Sequence, residues 1–120
     1  HAGNPFQLAI AKAIITLARQ VEATAIVAET RSGGTALAIA SQRPNRALVV
    51  VTSSQRVAQQ LAILYGAKTF IRKDGKFQAT KLTDWLLKST VLKSGDVVVT
   101  ASGQYPGRIG TTDTIKVRAL

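Results

Sequence analysis

The chain has 120 residues, 46% of them hydrophobic, no cysteine, and a net charge of +10 from 16 Lys and Arg against 6 Asp and Glu. That length and apolar content predict one folded domain with its own core and exclude a disordered chain. No apolar run reaches the roughly 18 residues that span a bilayer, nothing reads as a signal peptide, and the missing cysteines exclude disulfides and thiolate chemistry.

The lone histidine, His1, sits at the terminus and reads as a leftover of processing or cloning; it leaves too few ligands for a transition-metal site. A chain that folds without disulfides fits the cytoplasm. The absence of methionine suggests a piece cut from something longer. The charge favours anionic partners: phosphorylated metabolites, nucleic acid or an acidic neighbouring domain. Between Lys68 and Lys93 seven bases face only Asp74 and Asp84. A solvated basic surface explains that stretch equally well.

Phe6 to Glu22 carries Leu8, Ile10, Ile14, Ile15, Leu17, Ala18 and Val21 at helical spacing, after an Asn4-Pro5 start signal. Residues 24–29 read as a short buried strand. Thr35 to Gln42 predicts an alanine-rich helix, stopped by Arg43-Pro44. Residues 47–52, ALVVVT, predict a strand buried on both faces. Ser54 to Tyr65 predicts a helix opened by Ser53 or Ser54 and closed by Gly66. Residues 67–72 predict a third strand and KDGKFQ a polar turn. Leu82 to Leu92 predicts a helix with Leu82, Trp85, Leu86 and Val91 inward. Residues 95–102 predict a fourth strand, followed by a Gly/Pro loop. Asp113 to Leu120 alternates Ile115, Val117 and Ala119 with Lys116 and Arg118, as a half-exposed edge strand does. Strands alternating with helices predict an α/β fold with a mainly parallel sheet covered on both faces. The last strand follows through a loop with no helix and is therefore expected to be antiparallel.

The segment Thr30-Arg31-Ser32-Gly33-Gly34-Thr35, between the first strand and the second helix, has the makings of an anion site. First-turn amides of a helix lack internal acceptors and point outward. The helix dipole adds about half a positive charge there, and glycine lets a phosphate approach the backbone. Ser32 and Thr35 add hydroxyls and Arg31 a charge. Neither GxxxxGK[ST] nor GxGxxG is present, and a plain helix start capped by Ser32 or Thr35 fits the same residues. The loop after the fourth strand, SGQYPGRIGTT, adds Gly107 and Arg108. In open α/β sheets ligands sit beyond the carboxyl ends of the strands, where strand order reverses. If the first and fourth strands are neighbours, both loops meet there.

Three stretches, TRSGGTALAIASQRP, ALVVVTSSQRVAQQLAILYGAKTF and SGDVVVTASGQYPGRIGTTDTIKV, give the chain a resemblance to the C-terminal domain of pyruvate kinase along nearly its whole length. The resemblance implies a three-layer α/β/α fold with a five-stranded mixed sheet, order 3-2-1-4-5, strand 5 antiparallel. It implies a regulatory domain that binds a phosphorylated sugar or nucleotide effector and forms a subunit interface. Thr30 to Thr35 would hold one phosphate, and the loop Gly103 to Thr112 would close over the ligand. Residues 113–120 would pair with their copy in a homo-oligomer. The family usually has Arg or Lys where Gly34 stands and Asn where Asp113 stands. Between Arg72 and Leu82 this chain is shorter than many animal members, and Lys73, Lys76 and Phe77 lie nearest a second phosphate.

In the family, phosphoryl transfer from phosphoenolpyruvate to ADP occurs in a barrel domain, with Mg and K ions. Glu22, Glu29, Asp74, Asp84, Asp96 and Asp113 form no recognisable metal pair in the sequence. No catalytic residue, metal ligand or cofactor is therefore expected in this chain, and the barrel domain is an expected partner. A stand-alone domain of the same fold that binds a phosphorylated metabolite is the alternative. Nucleic acid is a further one, but Phe6, Tyr65, Phe70, Phe77, Trp85 and Tyr105 do not interleave with bases as a stacking platform requires.

Overall fold

The computed structural model describes residues 5–73, 75–103 and 112–120. Helix α1 (Pro5–Gln20) leads to β1 (Ala25–Glu29), α2 (Gly34–Ser41), β2 (Ala47–Thr52), α3 (Gln55–Tyr65), β3 (Lys68–Ile71), α4 (Gln78–Lys88), β4 (Val97–Gly103) and β5 (Thr112–Ala119). The strands form one sheet in the order β3-β2-β1-β4-β5. β1 lies parallel between β2 and β4, and β3 continues parallel to β2. β5 returns antiparallel along β4, with an irregularity between Ser102 and Gly103. This is the mixed α/β sheet expected from the alternation, including the reversed last strand.

The central strands are mostly apolar because successive side chains serve opposite cores. Ile26, Ala28, Leu48, Val50, Val99 and Ala101 pack with α1, α2 and α3 on one face. Ala25, Val27, Val49, Val51 and Val98 pack with α4 on the other. Among the described residues no helix is long and apolar enough to cross a membrane.

Helix α3 behaves as its sequence predicts. Ser54 Oγ accepts the Val57 amide at 3.2 Å, and Gly66 ends the helix at φ 67°. Helix α4 does not. It starts at Gln78 and stops at Lys88, earlier at both ends than the spacing suggests. Its inward face is Ala79, Leu82, Thr83 and Leu86, a single helical stripe. Trp85 lies on the flank of that stripe, 45% exposed, and meets Phe70 edge-on at 5.7 Å. Val91 lies beyond the helix and is 53% exposed, while Leu92 fills the core in its place.

The early stop has a backbone cause. Thr90 adopts φ 62°, its amide donates to Leu87 O, and the Val91 amide donates to Leu86 O at 3.0 Å. That is a left-handed termination normally made by glycine. A β-branched residue there is strained. We expect Thr90→Gly to raise stability by roughly 1 kcal/mol, the cost a β-carbon carries in this conformation. An unchanged urea midpoint would contradict that account.

β5 is an edge strand, but its faces divide differently from the simple alternation. Ile115 is half-buried against the α1 side, while Val117 is exposed. Arg118 turns toward α4, where its Nη2 meets Asp84 Oδ1 at 2.9 Å.

Candidate functional site

The chain runs from β1 outward through β2 to β3, then returns to place β4 on the other side of β1. The sheet therefore reverses order between β1 and β4, where Ala28 stands beside Ala101. The carboxyl ends of these two strands lie side by side, and one segment leaves each. The first is the turn from Thr30 to Gly34. The second is the loop after Gly103, in which Gly107 and Arg108 lie outside the described residues.

The Thr30 amide donates to Val51 O at 3.0 Å, which prolongs the sheet by one residue. The chain then turns through exposed Arg31 and Ser32 into Gly33, left-handed at φ 89°. Gly33, and neither Ser32 nor Thr35, is the residue that caps α2, and no side chain caps the helix from that position. The two hydroxyls ahead of it act one step earlier. Thr30 Oγ1 accepts the Gly33 amide at 2.9 Å, and Ser32 Oγ accepts the Gly34 amide at 3.3 Å. Thr35 is buried at the start of α2. The amides entering α2 thus meet hydroxyl acceptors from within the turn itself.

Gly33 is required by its backbone and its surroundings; at Gly34 the obstacle is only the movable end of a side chain. A β-carbon on Gly33 would stand 2.9 Å from Val57 Cγ1 of α3, and the backbone is left-handed. Gly34 has ordinary backbone, but a β-carbon there would stand 2.5 Å from Gln7 Nε2 of α1. Gln7 therefore lies over the place where the resembling family carries a cationic side chain. Nothing local in the sequence marks Gln7 as part of the site; only the packing of α1 on α2 brings it there.

Glu29, the acid nearest the turn, has a structural role. Its Oε1 accepts the Ala79 amide in the first turn of α4 at 3.1 Å. Phe77, at the cap position, offers no side-chain acceptor. A carboxylate at a helix amino end satisfies an orphan donor and opposes the dipole. Glu29→Ala should cost about 1 kcal/mol, as loss of a helix cap does, read from the urea midpoint; a change near zero would show that α4 holds itself. Lys73, Lys76 and Phe77 are exposed just ahead of α4. Among the described residues no three His, Cys, Asp or Glu side chains come together as a metal-binding group.

A doubly wound α/β/α domain with a mixed sheet and a glycine turn at its switch point defines a fold class. The family is more specific. The model of the pyruvate kinase alpha/beta domain matches residues 8–118. The pyruvate kinase of Staphylococcus haemolyticus is 34% identical over 120 residues, 93% of this chain and 20% of that protein. That of Clostridium acetobutylicum is 34% identical over 110 residues, 88% of this chain and 23% of that protein. A crystal structure of a pyruvate kinase from Cryptosporidium parvum shares the fold, with a TM-score of 0.78 at 23% identity, over 94% of this chain and 22% of that one. The chain belongs to the pyruvate kinase C-terminal alpha/beta domain family, and it spans about a fifth of the length of the relatives it matches.

Proposed function

We propose that this chain is the regulatory, effector-binding and subunit-interface domain of a cytoplasmic, glycolytic pyruvate kinase, and that it is not catalytic by itself. Phosphoryl transfer, with its Mg and K ions, belongs to the barrel domain of the parent enzyme. The observation that carries the reading is the glycine turn at the sheet's switch point, with Gly33 left-handed and the Gly33 and Gly34 amides held by replaceable hydroxyls. A phosphorylated effector takes over those amides, and Arg31 adds charge at the rim. With Gly34 and Gln7 where a cation is usual, the turn binds through backbone amides more than through a fixed positive side chain.

A thermal-shift series with sugar phosphates, nucleoside monophosphates and sulfate tests this. The correct ligand at a hundredfold excess over its dissociation constant stabilises the domain by about 2.7 kcal/mol. Ser32→Asp, which puts a carboxylate among the amides, removes the shift. If every phosphate leaves the midpoint unmoved, or if the Asp variant responds as the parent does, the effector reading is wrong. In a coupled assay the chain alone should form no pyruvate from phosphoenolpyruvate and ADP; metal-dependent turnover by pure chain would overturn the non-catalytic assignment.

The interface role rests on β5. An edge strand offers unpaired backbone groups to another strand, and a two-fold pairing of one strand with its copy is antiparallel. Lys116 and Val117 are exposed there, and Asp84 already balances Arg118. Repulsion between copies therefore falls mainly on Lys116. A weak dimer that tightens with salt is expected by sedimentation. Val117→Lys, which adds a second charge to the exposed edge, should dissociate it. A monomer at every salt concentration would remove β5 as the contact.

A further inference from the structure

At the opposite end of the sheet, where β2 begins and α2 and α3 end, lies a cleft of about 220 Å³ lined by Arg43, Pro44, Arg46, Leu48, Tyr65 and Gly66, among others. We propose that this cleft binds a small anionic metabolite, through a carboxylate or phosphate group, as a second ligand site separate from the β1–α2 turn.

Two arginines meet at the cleft with no carboxylate to balance them among the described residues. Arg43 sits at φ 52° just past α2, and its guanidinium lies over the Tyr65 ring at 5.4 Å. A cation–π contact steadies a guanidinium without consuming its N–H donors. Arg46 is steadied by one bond, from Nη1 to Ala23 O at 3.2 Å. A guanidinium has five N–H donors, so this leaves most of them unused.

The simpler account is that both arginines offset the negative carboxyl ends of α2 and α3. The magnitudes do not support it as a full explanation. Each helix end carries about half a negative charge. The two together offset roughly one of the two guanidinium charges, and a net positive charge remains at the cleft. The terminal carbonyls are also engaged: Ile39 O and Ala40 O accept the Gln42 and Arg43 amides, and Ala62 O accepts the Gly66 amide. What remains is a concave, positively charged site with two forked donors, which suits planar or tetrahedral oxyanions.

The size narrows the ligand. A water occupies about 30 Å³ of liquid volume, so the cleft holds several waters and lies below the roughly 300 Å³ at which drug-sized pockets begin. A short dicarboxylate or a small phosphate ester fits.

The test is an amide-resonance titration of the whole chain with inorganic phosphate and, separately, with succinate, against sodium chloride at matched ionic strength. Saturable shifts are expected at Leu48, Gly66 and Ala67, and they should persist in Ser32→Asp, which disables the β1–α2 turn. Arg43→Gln, at an exposed position whose side chain makes no hydrogen bond among the described residues, should weaken binding about tenfold, the loss of roughly one charge-assisted pair. Arg46→Gln should do the same with its fold verified by the unchanged remainder of the spectrum. Shifts that sodium chloride reproduces, that fail to saturate, or that survive both glutamine variants would overturn the proposal. Shifts confined to residues 30–37 and lost in Ser32→Asp would overturn it while leaving the turn as an anion site.

Discussion

Leu82→Ala lowers the unfolding free energy by about 3 to 5 kcal/mol, the upper part of the range for a buried leucine. Among the described residues three helices cover one face of the sheet, and α4 is the one helix on the other. Leu82 is fully buried there, beside Leu86 and over Val27, Val49, Val51 and Val98. Those valines belong to strands paired on both sides, and their branched side chains have little rotamer freedom. They cannot close a void, so the cavity persists and adds to the lost transfer energy. Leu64→Ala is the control. Leu64 is 57% exposed on α3, and its removal should stay within about 0.5 kcal/mol. Urea unfolding of the two variants measures the difference. Equal losses would mean that the α4 face contributes no more than the surface, and the two-core description would be wrong.

Gly33→Ala should cost about 2 to 3 kcal/mol, through two separable causes. The left-handed backbone at φ 89° penalises any β-carbon by roughly 1 to 2 kcal/mol. The remainder comes from the contact of 2.9 Å with Val57 Cγ1, because Val57 is itself buried and cannot swing aside. Val57→Ala removes the second cause while leaving the first. The double variant should therefore be less destabilised than the sum of the singles by about 1 kcal/mol, a coupling of the size contacting residues show. Strict additivity would place the whole cost in the backbone. The same substitution distorts the turn that presents the Gly33 and Gly34 amides, so any phosphate-induced thermal shift should fall with it.

Much of the fold was legible in the residues. ALVVVT reads as a strand buried on both faces, and the short Gly/Pro stretch before residue 112 is too short for the crossover of a parallel return. Ser54 and Gly66 marked both ends of α3 because a serine acceptor and a glycine left-handed stop act within their own turn. The glycine turn was visible for the same reason: its demand is local, and only glycine meets it cheaply.

What escaped was set by residues distant in sequence. The start of α4 is held from a distance, because Glu29, at the end of β1, supplies the acceptor for the Ala79 amide. It ends at Lys88 because the chain bends to bury Leu92, and Thr90 takes an unfavourable backbone angle to allow it. Trp85 scores as a core residue by type, yet its place on the flank of the α4 stripe leaves it at the rim beside Phe70. Arg118 alternates with the apolar residues of β5 as an exposed base does, and only the order of elements sets Asp84 of α4 opposite it. Gln7 over Gly34, and Arg43 with Arg46 at one cleft, likewise exist only once α1, α2, β2 and α3 are packed. Periodicity and turn chemistry act over a few residues, and by themselves they determined the elements, their alternation and the glycine turn. Caps, charge partners and clefts depend on which segments meet across the sheet, and only the tertiary structure decided those.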